Sequence, residues 1–144
     1  MTGCGSGEPD PGDTSSSAQV IRLDSGPLQE LRIARATDGR FVVSGFCYFP
    51  DDTRLTVSLH DSLGRAVGQT RPVVANGWFT ALPLGGSKMP AGDLEIGISA
   101  NFSPGEQSAA VLDETEGGAA LEGEGMFITK RGQPAFALRF PVEP

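Results

Sequence analysis

The sequence predicts an all-β fold, an antiparallel β-sandwich of about eight strands, and three observations carry that prediction. Apolar and polar residues alternate along most of the chain from Leu28 onward, the period of strands that bury one face. Turn signals recur about every ten residues, the spacing of short antiparallel strands. Glycine (20) and proline (11) are spread along the whole length, and no run of helical periodicity stands out.

The elements follow in order. Residues 1–19 stand apart as a flexible linker: from Gly5 to Gln19 only Ala18 is apolar, so burial cannot offset the entropy of ordering them. Residues 20–144 are the single sandwich domain. Leu31 and Ile33 begin the alternation, and Asp38-Gly39 turns the chain into FVVSGFCYF. There Phe41, Val43, Gly45 and Cys47 share one face and Val42, Ser44, Phe46 and Tyr48 the other, with much of both faces expected to be covered. Pro50 ends this strand, because proline has no N–H for the ladder. Leu55, Val57 and Leu59 then point inward, Arg54, Thr56, Ser58 and His60 outward, before a turn at Asp61–Gly64. Residues 66–74 are expected to return as a strand, with Pro72 marking a sheet edge or bulge. Asn76-Gly77 signals a hairpin, since both positions of a type I′ turn need positive φ. Phe79 and Ala81 next oppose Trp78, Thr80 and Leu82, and Leu94, Ile96, Ile98 and Ala100 mark another strand. Residues 107–112 are expected to add one more, and MFITK and FALRFPV, joined at Arg131-Gly132, close the domain.

The run from Ser44 to Ala100, with its Asp-rich turn, hydrophilic hairpin, Asn-Gly-aromatic-Phe and Pro-x-Gly before an alternating strand, is similar to secreted prealbumin-like and carboxypeptidase-regulatory-like sandwiches. FPDDT at Phe49–Thr53 also resembles the "Leu-Pro-Asp-Gly-Thr" turn of an uncharacterised immunoglobulin-like bacterial envelope domain. The resemblance implies an accessory or binding module and supplies no catalytic residues.

The opening, MTGCGSGEPDPGDTSSS, carries a second resemblance. Thr2-Gly3-Cys4 is similar to the end of a bacterial lipoprotein signal, usually Leu, Ser/Thr/Ala, Gly/Ala, then Cys, with Met1 standing in the place of Leu. It implies lipidation of Cys4, with Gly5–Ser17 as the spacer between a membrane and the domain. Gly5 after the cysteine, where Asp favours inner-membrane retention in enteric bacteria, points to the outer membrane, its periplasmic face or the cell surface. Two other readings of Cys4 stand beside this one: an incidental thiol in the tail, and a disulfide with Cys47.

A net charge of −7 with scattered basic residues disfavours nucleic acid as a partner, and no stretch has the roughly 18–20 apolar residues of a spanning helix. His60 is the only histidine, expected at the surface beside a turn, and no G-x-S-x-G elbow occurs. No catalytic residue, cofactor or metal site is therefore expected, and the chain reads as a non-enzyme that binds a protein or another envelope-surface component. Asp113, Glu114, Glu116, Glu122 and Glu124, set among glycines, form the candidate interaction loop. That loop and Asp51-Asp52 are also the alternative positions for calcium, although neither has the Asp-x-Asp-x-Asp-Gly order. Pro83–Gly92 is the other long loop. Trp78 is expected to be core or half-buried; with Tyr48 it is the alternative ligand-stacking pair for a glycan.

Overall fold

The computed structural model describes residues 18–85 and 92–142, and within them the chain forms two antiparallel sheets packed face to face as a sandwich. Cys4, the linker to Ser17 and most of the Pro83–Gly92 loop lie outside the described residues. The first sheet contains β1 (Gln19–Arg22), β2 (Leu28–Arg35), β3 (Phe41–Cys47) and β6 (Trp78–Thr80), in that spatial order. The second contains β4 (Thr56–His60), β5 (Ala66–Thr70), β7 (Glu95–Asn101), β8 (Met126–Ile128) and β9 (Pro134–Pro141), arranged β5-β4-β7-β9-β8. Among the described residues the only α-helix is α1 (Ala109–Glu114).

The core is the alternation seen in sequence, folded onto itself. Leu31, Ile33, Phe41, Val43 and Phe79 face Val57, Leu59, Ile96, Ile98 and Phe136, all buried. Gly45 belongs to this inner face for a steric reason: a Cβ there would lie 2.6 Å from the Phe79 ring and 2.7 Å from the Glu30 carbonyl. The missing side chain lets Phe79 cross β3. The second face of β3 is only half-covered, less than the expectation for FVVSGFCYF.

Three sequence expectations change. Residues 107–112 do not form a strand; Ser108 caps α1, its Oγ accepting from the Val111 N–H at 3.3 Å, and Thr115 Oγ1 donates back to the Val111 carbonyl. The return strand stops at Thr70, and Val73 makes an isolated bridge to Arg54. Strand formation begins earlier than Leu28, because β1 pairs with β2.

The β4–β5 connection is held by Asp61. Its carboxylate accepts from the Leu63 and Arg65 N–H groups at 3.0 and 2.9 Å and from Arg65 Nε at 3.1 Å. The Arg65 N–H bond, with those of Leu63 and the Arg65 side chain, holds the carboxyl below its ordinary range against a smaller opposing effect of burial. A lowered folded-state pKa stabilises above the unfolded value near 3.9, and that stability is lost as pH falls through the folded value. Asp61→Asn is therefore expected to be less stable than wild type above about pH 5, with the gap closing on acidification below about pH 4. Urea melts across that range check it; a gap that does not change with pH refutes it.

Candidate functional site

A cluster of exposed aromatic rings lies on the outer face of the four-stranded sheet, at its β3–β6 side. Strand registers align Arg22 with Glu30, Glu30 with Phe46 and Phe46 with Trp78, so one row crosses the whole sheet. Tyr48 follows two residues after Phe46, just past the strand. Trp78 is 46% exposed and Tyr48 66%, and both rings lean on Phe46. The Phe46 and Trp78 centroids are 5.1 Å apart with planes tilted 54°; Phe46 and Tyr48 are 6.0 Å apart at 77°. The fold thus makes a three-ring corner, with Phe46 at the junction.

Local chemistry sets this corner rigidly. Asn76 and Gly77 both have positive φ, 54° and 82°, and Ala75 and Trp78 exchange both main-chain bonds, as a two-residue hairpin requires. A Cβ on Gly77 would lie 2.8 Å from the Phe46 ring, so glycine allows the turn to rest on that ring. The Gly77 carbonyl accepts from the Cys47 N–H at 2.8 Å, and Tyr48 N–H donates to the Pro27 carbonyl at 2.7 Å. Beside the turn, Asp51 Oδ1 accepts from the Asn76 N–H at 2.7 Å, and Asp52, exposed with φ 73°, donates its N–H to Val74. Across the row, Arg32 Nε lies 2.7 Å from Glu30 Oε2 and Arg22 Nε 3.5 Å from Oε1. The Arg32 hydrogen bond chiefly holds the Glu30 carboxyl below its ordinary range.

No family model, curated protein or solved structure matches this chain. Trp78 is not a core residue: at 46% exposed it meets the half-buried alternative of the expectation and not the core one drawn from sandwiches that bury their tryptophan between sheets. Its phase opposite the buried Phe79 is the reason. The candidate acidic loop is not a single pliable loop: Asp113 and Glu114 end α1, Glu116 sits in the following turn with φ 54°, and Glu122 and Glu124 lie beyond a series of tight turns. Among the described residues no group of three or more His, Cys, Asp or Glu side chains is placed to hold a metal ion. Cys47 is buried in the core, and burial pushes its thiol up to about 11.

His60 is also corrected. It lies on the outer face as its phase demands, yet it is only 9% exposed, because Gly97 on the neighbouring strand leaves room for the imidazole. A Cβ on Gly97 would sit 3.1 Å from His60 Nε2 and 3.0 Å from Ser58 Oγ. Ser58 Oγ and His60 Nε2 are 2.8 Å apart, and Nδ1 is 3.4 Å from the Gly64 carbonyl. These contacts are met by the tautomer with Nδ1 protonated and Nε2 accepting from the hydroxyl. The spacing is that of a nucleophile and base, but β4 is paired on both sides, with β5 and β7. Its main-chain N–H groups are committed to those ladders and offer no oxyanion pair beside Ser58.

Proposed function

We propose that this chain is a lipid-anchored cell-envelope β-sandwich, prealbumin-like or immunoglobulin-like in kind, that works as a non-catalytic interaction module. Its task is to hold an envelope-surface partner, not to transform one. The single observation that supports this reading is the Trp78–Phe46–Tyr48 corner: Trp78 on β6 and Tyr48 just past β3 are exposed rings braced on Phe46, and the row continues into Glu30 with its paired arginines. Tryptophan, tyrosine and arginine dominate binding energy where they occur at interfaces, and prior ordering lowers the entropy lost on association. The committed ladders around Ser58 and His60 support the non-catalytic part. The Thr2-Gly3-Cys4 resemblance supports the anchor.

The test uses the full chain carrying Cys4→Ser, so that the domain alone is measured. This protein is expected to co-sediment with isolated envelopes of the source bacterium. Adding Trp78→Ala and Tyr48→Ala is expected to leave it in the supernatant with its melting temperature changed by only a few degrees, as suits exposed positions. Equal sedimentation of the two proteins would refute the proposal.

A further inference from the structure

We infer that the aromatic corner binds a neutral pyranose glycan, as a short oligosaccharide or a chain end. The inference rests on the binding reading above and names the ligand class for the same surface. A pyranose presents an apolar C–H face and a rim of hydroxyls, so it needs an aromatic ring with fixed donors and acceptors close beside it. Trp78 and Tyr48 supply exposed rings braced on Phe46. On one side the row continues into Glu30, held by Arg32 and Arg22; a carboxylate keeps lone pairs beyond those bonds, and each guanidinium keeps N–H donors. On the other side stand Asp51, already fixed by the Asn76 N–H, and the exposed Asp52. Apolar surface three side chains wide, bounded by such groups, suits one or two sugar units.

Two features narrow the class. The carboxylates beside the hairpin and the net charge of −7 repel acidic polysaccharides and anionic bilayers. Trp78 and Tyr48 are tilted 54° and 77° from Phe46, so the three rings do not make one flat platform, and the corner suits a short chain better than a crystalline polymer face.

Trp78 is the only tryptophan in the sequence, so its fluorescence reports on this corner alone. The full-length Cys4→Ser protein is titrated with a β-1,4-linked N-acetylglucosamine trimer, cellotriose and maltotriose, with trigalacturonate as the acidic control. At least one neutral trimer is expected to shift the emission saturably and to protect Trp78 from acrylamide. Tyr48→Ala is expected to weaken that trimer about tenfold, the scale of one aromatic contact. Ser58→Ala, on the other sheet, should leave the affinity unchanged. Absence of any shift with all three neutral sugars up to about 10 mM overturns the inference, as does a preference for trigalacturonate. If envelope sedimentation still depends on Trp78 and Tyr48 in that case, the binding reading survives without the glycan; if it does not, both fail.

Discussion

Replacing Gln107 with leucine is expected to lower the unfolding free energy by about 3 kcal/mol, with a fall in melting temperature on the order of 10 °C. Gln107 is 4% exposed, and its amide is fully engaged with main chain. Oε1 accepts from the Arg54 N–H at 2.8 Å, while Nε2 donates to the carbonyls of Arg54 at 2.9 Å and Asn101 at 3.1 Å. The reason for this clamp lies in the sheet. β4 and β7 pair from His60↔Glu95 to Thr56↔Ser99, and the same register carried two residues further would set Arg54 against Asn101. There the two strands part, and the Gln107 amide fills the gap, standing in for the missing ladder. Leucine restores the volume but leaves three part-buried main-chain groups, the Arg54 N–H and the Arg54 and Asn101 carbonyls, without their partner, each costing about 1 kcal/mol. Against a total stability of roughly 5–15 kcal/mol, that is a severe loss. Chemical and thermal denaturation measure it; a loss below about 1 kcal/mol would show that water takes over the clamp.

Much of this architecture is legible along the chain, because period-two alternation is local. Leu55, Val57 and Leu59, and Leu94, Ile96, Ile98 and Ala100, are buried as their phase requires. Asn76-Gly77 forms its hairpin because turn type depends on two residues alone. Helix α1 escapes the same reading since six residues are too few to show a 3.6-residue period, and its one clear signal is Ser108 as N-cap.

The site is less legible, for reasons of pairing. FVVSGFCYF assigns Phe46 and Tyr48 to one face, and the strand after Asn76-Gly77 assigns Trp78 opposite Phe79. That Trp78 lands beside Phe46, and Glu30 on its far side, depends on three strand registers that no local pattern contains. His60 shows the same limit. Its outward phase holds, but its burial is decided by the absent side chain of Gly97, distant in sequence. Gln107 carries no signal at all, because nothing in its neighbourhood marks where β4 and β7 diverge.

Cys4→Ser, in the protein expressed with its native signal, is expected to empty the membrane fraction and send the protein into the soluble one. The Thr2-Gly3-Cys4 junction resembles a lipoprotein cleavage site, and lipoproteins of that kind carry a diacylglycerol thioether and an N-acyl chain on the cysteine. Each buried CH₂ contributes about 0.8 kcal/mol, one chain alone binds marginally, and several together hold a protein durably. Among the described residues no helix is long and apolar enough to cross a membrane. The change should therefore be nearly all-or-none, and it should leave the melting temperature unaltered, since residues 5–17 carry no apolar side chain to lose from a core. Detergent phase partitioning and labelling with a fatty-acid analogue read it directly. The Trp78→Ala/Tyr48→Ala protein with Cys4 intact should still partition into detergent, which separates anchoring from partner binding. An unmodified Cys4 mass in the native host, or a Cys4→Ser protein that stays with the detergent, would sink the anchor and leave the aromatic corner to be judged by its own titration.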